Sequence, residues 1–545
     1  MKSRLSLPAT LSTATLVGLL ITSVWLHAQL NDTRPLSSLF PSGALLYLEA
    51  SDFHKLLNEW NSSGEKKKWL ASDNFGVLSE SRLVQRLAQA QTEFAATADL
   101  PIEINLVDQV AGTRSAFAFY NLADLKFVYV TRLDNARAEG NPLWNKRDSF
   151  RPREVAGIPF YEKSEGDPLR TVAFASYQGW FVVSTDETRM AQTLALLAGQ
   201  QSASLATERW FRDTAKEDPK TGDLRLVYNL AALLNTPQFR TYWIQRNASE
   251  LKAYGSGVAD LWERDYGFEE QRALVRQTPA QAASTDPALA QALRYVPRDH
   301  SLYRAWLAPG RATLRSVLQQ VVLSEPTEIQ DYGLYAPQVN PEAGVVGSAS
   351  DLETRIDEAP FERAKQQSID SVVNAVLAMQ PVALLHVQTT TVLDDQVFVV
   401  PASEAVMVCK KADRTVLNNS IRNSAGLIKA GSLDPLALSV SDNVVTLSRL
   451  PAPETLSPVQ AIADEIYAAG YNNVLEWPHY RRLFALTGQA ATSPEAPPPA
   501  TTPAFFSGNV RSLGDTLSRL QRATIVTQDQ GSVVRDTLRY ELSVR

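Results

Sequence analysis

The chain has one cysteine, Cys409, in 545 residues. An internal disulfide is therefore impossible, and a cysteine-ligated zinc or iron–sulfur centre has no ligand set. The alternating apolar context "EAVMVCKKAD" reads Cys409 as a structural strand residue, not a reactive thiol. Histidine is scarce too: His27, His54, His300, His386 and His479 are the whole supply. None stands in an H-x-x-x-H or H-E-x-x-H arrangement, so no helix face offers two imidazole ligands. His54 follows Ser51 and Asp52 in "EASDFHKLL", where the serine and aspartate read as a helix cap and not as parts of a triad. A G-x-S-x-G elbow and a G-x-x-x-x-G-K-[ST] phosphate loop are both missing. Excess positive charge is absent as well. The net charge is −6, which provides no global attraction to nucleic acid or anionic lipid. The basic run "EKKKW" reads as a solvated helix face, and "RWFRDTAKE" and "WPHYRRLF" as packed amphipathic helices. These absences lead to an expectation of no catalytic residue, no cofactor, no metal and no nucleic-acid partner.

What is present is a folded composition, 44% hydrophobic and 21% charged, on a chain long enough for two to four domains. The first residues carry a positive tip, Lys2 and Arg4, and then no charge until Asp32. Leu16, Leu19, Leu20, Ile21, Val24 and Trp25 lie in that uncharged window, with the tryptophan near its far end as an interfacial aromatic. The window meets the roughly 20 residues that a bilayer crossing needs. Cleavage after Ala28 or Ser23 would place Leu26 or Ile21 at the −3 position, which is a poor fit to a small-x-small site. Residues 1–31 are therefore expected to be an uncleaved signal-anchor in the inner membrane, with the rest in the periplasm or outside the cell. The alternative is secretion after signal cleavage.

The chain then repeats itself. "FPSGALLYLEASDFHKLL" and "VPRDHSLYRAWLAPGRATLRSVL" each place a proline, Pro41 or Pro297, before a Leu-Tyr pair that ends in Tyr47 or Tyr303. Three further correspondences follow in the same order. "SYQGWFVVSTDETRMAQTLALLAG" and "LSVSDNVVTLSRLPAPETLSPVQAIADEIYAAG" read as tight hairpins feeding helices. "LATERWFRDTAKE" and "LEWPHYRRLFAL" read as aromatic-rich helices. "DLRLVYNLAALL" and "AFFSGNVRSLGDTLSRL" read as strands ending at Asn229 or Asn509, each asparagine suited to cap the next helix. The second interval is longer, partly through the proline-rich loop 492–503, an insertion that a surface tolerates.

The expected fold is α+β: an anchor over 1–31, a first repeat over 36–276, a linker or short helix over 277–293, and a second repeat over 294–545. Each repeat is an antiparallel sheet covered on one face by helices, because the strand candidates are joined by short links. "SAFAFYNL" with "KFVYVTRL" and "VALLHVQTTTV" with "AVMVCKK" are such strands. Residues 79–98 form a helix with Leu83, Leu87, Ala90 and Phe94 on one face.

With its anchor, its two P-x4-LY openings, "QGWFVVSTDETRM" and "SLATERWF" leading into "LVYNL", the chain resembles a group of uncharacterised, membrane-anchored bacterial envelope proteins that share a domain of unknown function. That resemblance brings no catalytic residues. The expected function is a non-enzymatic scaffold, assembly factor or binding module of the envelope, touching the bilayer through its first helix. Its partner would be another envelope protein or a lipid. The alternative is a carrier or chaperone for a lipid or lipidated protein, which a large cavity lined by aliphatic side chains would favour. A third reading, a hydrolase, requires histidines and carboxylates gathered in one pocket.

Overall fold

The computed structural model describes residues 34–71, 75–76, 79–80, 82–101, 106–166, 170–200, 203–237, 251–282, 286–323, 367–392, 399–423, 436–450, 455–456, 459–478 and 518–543. The expected anchor 1–31, Asn509, His479 and the loop 492–503 lie outside the described residues. Within them, no helix is long and apolar enough to cross a membrane. The chain divides into two compact units, one of Met1–Ser63 with Glu80–Asp260, the other of Gly64–Ser79 with Leu261–Arg545.

In the first unit, β1 (Leu46–Asp52) leads into helices α1 (Phe53–Ser62), α2 (Arg82–Ala98) and α3 (Leu106–Val110). β2 (Thr113–Asn121), β3 (Lys126–Arg132), β4 (Arg151–Val155), β5 (Ile158–Glu165), β6 (Arg170–Tyr177) and β7 (Trp180–Ser184) follow. Then come α4 (Glu187–Leu197), α5 (Arg209–Ala215), β8 (Leu224–Tyr228) and the one-turn α6 (Leu230–Leu233). The strands pair antiparallel in the order β8-β1-β2-β3-β7-β6-β5-β4.

Local chemistry explains the joints. Gln178 and Gly179 both have positive φ, 48° and 77°, the conformation whose twist matches a two-residue hairpin between β6 and β7. Asp52, Asp186 and Asn229 cap α1, α4 and α6, their side chains accepting from Lys55, Arg189 and Ala232 backbone N–H groups at 2.9–3.0 Å. Tyr47 is fully buried on one sheet face, its ring held edge-on by Phe40 and Phe211 at 5.5 and 5.3 Å.

The division between units falls inside β9 (Tyr254–Arg264). The second unit then holds β10 (Gly267–Arg276), α7 (Pro287–Leu293), β11 (Leu302–Leu307), α8 (Arg311–Leu323) and a helix over 367–378. These are followed by β12 (Pro381–Val392), β13 (Val399–Cys409), α9 (Arg414–Asn423), β14 (Ala437–Ser441) and β15 (Val444–Ser448). β16 (Glu465–Asn472), β17 (Leu520–Asp529) and β18 (Val533–Leu542) complete it. Its strands pair antiparallel as β14-β15-β13-β12-β11-β16-β17-β18-β10.

This sheet is covered on both faces, not on one. Leu384, Met407 and Leu447 pack with α8 and the helix 367–378, while the alternate residues Ala383, Leu385, Val406 and Val408 pack with α7. Thus α7, in the stretch expected to link two repeats, buries Ala288, Leu289, Ala292 and Leu293 in the core of its unit. A second difference concerns 465–472, "EIYAAGYN". The alanines favour a helix there, but the segment is β16, paired on both sides by β11 and β17. Two complete ladders outweigh the weak local preference.

Candidate functional site

The alternation of β2 and β3 places Phe117, Phe119, Phe127 and Tyr129 on the same side of the first unit's sheet, together with Leu48 and Ala50 of β1. Phe117 stacks on Phe127 at 4.6 Å and tilts against Phe119 at 4.5 Å. Above this floor, α2 presents Leu87, Ala90, Gln91, Phe94 and Ala95, the i, i+3, i+4, i+7, i+8 stripe of an amphipathic helix. Leu106, Val107 and Val110 of α3, with Leu100, Pro101 and Phe53, line one end. Phe94 of the stripe packs into the apolar cluster that includes Tyr129, but the stripe does not fill the space over the floor. Between them lies a cavity of about 630 Å³, within the roughly 300–1,000 Å³ of small-molecule sites.

The lining is almost entirely hydrocarbon; Gln91, Ser115 and Tyr129 supply its polar side chains. The two hydroxyls are already engaged. Ser115 Oγ lies 2.6 Å from Thr131 Oγ1 and donates to the Gly112 carbonyl at 3.0 Å, and the Tyr129 hydroxyl donates to the Val110 carbonyl at 3.0 Å. Burial raises the Tyr129 phenol above its ordinary pKa, so it stays neutral. Leu48, Leu87 and Val107 remain 37%, 47% and 49% exposed and mark where the cavity opens. Such a lining has nothing to offer a reacting group, but it matches an alkyl chain.

A charged group flanks the lining residues Leu87, Phe94 and Leu125 without itself lining the cavity. Glu93 of α2 accepts from Gln89 Nε2 at 2.8 Å and pairs with Arg86 at 3.4 Å and Arg170 at 2.9 Å. A second guanidinium nitrogen of Arg86 donates to the Ala123 carbonyl at 3.3 Å, in the turn before the lining residue Leu125.

The residues singled out in the sequence are not gathered in this site. His54 is exposed and bonded to Asn58 at 3.0 Å. His300 Nδ1 sits 2.6 Å from the Pro297 carbonyl. His386 is buried with its Nδ1 3.1 Å from Arg304 Nη2, and burial and that cation hold its pKa well below the ordinary value. Among the described residues no three His, Cys, Asp or Glu side chains come together as a metal site. Cys409 is buried at the end of β13, and burial pushes its thiol up to about 11. Pro41 and Pro297 form isolated bridges to Ser204 and Leu456. The cavity residues carried a signal in sequence, the α2 stripe and the alternating phenylalanines, but each pattern alone describes ordinary core.

No protein-family model matches the chain, and neither does any curated protein. Among solved structures, TP0453 in crystal form I is similar at 15% identity, covering 45% of this chain and 80% of that chain, with a TM-score of 0.23. TP0453 in crystal form III is similar at 14% identity over 50% of this chain and 89% of that chain, with a TM-score of 0.24. A likeness of that size carries no argument about function.

Proposed function

We propose that the chain is an envelope protein, held at the membrane by its first 31 residues, whose first unit binds the hydrocarbon part of an amphiphile. Binding or carrying, not catalysis, is its activity. The observation that carries this reading is the cavity between α2 and the phenylalanine floor. The space is reached from solvent past the exposed side chains of Leu48, Leu87 and Val107, so it is an accessible cleft and not a sealed packing defect. A space of that size with an apolar rim is better explained as a binding site.

The two units are, on this reading, copies of one fold. The strand order β6-β7-β3-β2-β1-β8 of the first has its counterpart in β14-β15-β13-β12-β11-β16 of the second. Tyr47 and Tyr303 hold the same register, opposite Ala118 and Val227 in one sheet and Val387 and Gly470 in the other. In this alignment Tyr471 and Asn472 answer to Tyr228 and Asn229, so Asn472 and not Asn509 is the counterpart of Asn229. The same alignment sets Arg304, His386 and Gln388 in the places of Leu48, Phe117 and Phe119. Those polar side chains suit no alkyl chain, and the binding function belongs to the first copy alone.

The test is a titration of the full chain with a series of n-alkyl alcohols, beside the variant Ala90→Trp, which puts an indole into the space under α2. Each pair of methylenes should tighten binding roughly fifteenfold, at about 0.8 kcal/mol per buried CH₂. Ala90→Trp should weaken binding at least tenfold with its circular dichroism unchanged. Affinity indifferent to both chain length and the tryptophan would sink the reading.

A further inference from the structure

We propose that the occupant is a single-chain amphiphile with an anionic head, a carboxylate or a phosphate, seated against Arg86 and Arg170. This rests on the cavity being a hydrocarbon site. Volume sets the number of chains. If a methylene fills about the share of a liquid water, roughly 30 Å³, the 630 Å³ hold roughly twenty, which is one long chain and not two.

Charge sets the head. Along the α2 side of the cavity two guanidinium groups share the single carboxylate of Glu93. Both arginines are shielded, their side chains 22% exposed. The Arg170 Nε contact is an ion pair without hydrogen-bond alignment, so that buried N–H has no partner. Opposite Arg170 on β5 stands Glu165, but it is taken up by Lys163 at 3.2 Å, so the two guanidinium groups have one directly paired carboxylate between them in a half-buried place, where a second oxyanion completes the pairing.

Position ties the two together. Arg86 immediately precedes Leu87 at the exposed rim and reaches the turn before Leu125. Arg170 shares its face of β6 with Val172 and Phe174, which belong to the same apolar cluster as Phe94 and Phe127. Lys126, whose neighbours Val128 and Val130 face the opposite side, is taken up by Asp186 at 3.2 Å and does not compete. The chain would lie along the floor toward α3 with its head at the α2–turn corner.

The experiment is calorimetry of the full chain at low salt with hexadecanoate and a hexadecanoyl lysophosphatidate, each below its critical micelle concentration, and with hexadecanol below its solubility limit. Both anionic ligands should bind at least tenfold tighter than the alcohol if any oxyanion suffices; a preference for only one of them identifies the head. Arg86→Gln with Arg170→Gln should abolish the preference and leave the alcohol's affinity within twofold. Should that double variant misfold, Glu93→Gln, which frees both guanidinium groups, should increase the preference severalfold. Equal binding of acid and alcohol, or a preference untouched by these variants, overturns the anionic head while leaving the cavity reading in place. Failure of all three ligands to bind overturns both.

Discussion

A buried histidine beside an arginine departs from a plain core, and it lies on β12 of the second unit. His386 cannot take a proton where it sits, since burial and Arg304 both oppose the charge. In the unfolded chain it titrates near 6.5. The unfolded state therefore gains a proton that the folded state refuses, and stability from this residue is lost as pH falls below about 6.5. His386→Asn, which keeps an acceptor for Arg304, should flatten the fall in urea midpoint between pH 6.5 and 5 by one proton's worth of slope. An unchanged slope would show that His386 is protonated in the fold. Cys409 and the cap at Asp52 were legible in sequence, because strand alternation and capping are local. The His386–Arg304 pair was not, because 82 residues separate its members and only the β11–β12 register brings them opposite.

Elements were legible where their period was unambiguous. The hairpin at Gln178-Gly179 and the helix over Arg82–Ala98 needed only turn chemistry and apolar spacing. β16 was misread because glycine and alanine take their structure from their neighbours. Gly470 lies under the ring of Tyr303, where an added Cβ would come within 2.2 Å of Cε1. Gly470→Ala must push that ring or the strand aside and should destabilise the second unit by about 1–3 kcal/mol, measured by chemical denaturation. Loss of less than about 0.5 kcal/mol would mean that the ring has room to move. The stripe on α2 shows the other limit. Its spacing gives an apolar face, but the gap to the sheet depends on how α2 is held by segments distant in sequence.

At the scale of the molecule, paired motifs suggested a duplicated plan, whereas the filling of each unit was not readable: a cavity lies beneath the helices of the first, and apolar clusters cover both sheet faces of the second. Ligand should therefore act on one unit only. At a free concentration of 100 Kd it adds about 2.7 kcal/mol to the stability of whatever binds it. Hydrogen exchange should slow in β1, β2 and α2 and stay unchanged in β12 and β13; slowing in the second pair would place the occupant elsewhere. The lone thiol has a consequence of its own. Sealed beneath β13 and uncharged at neutral pH, Cys409 gives an oxidase nothing to join and a reductant nothing to open. The protein thus reaches its native covalent state without a disulfide-forming helper, on either side of a membrane, and does not bridge to its neighbours through sulfur.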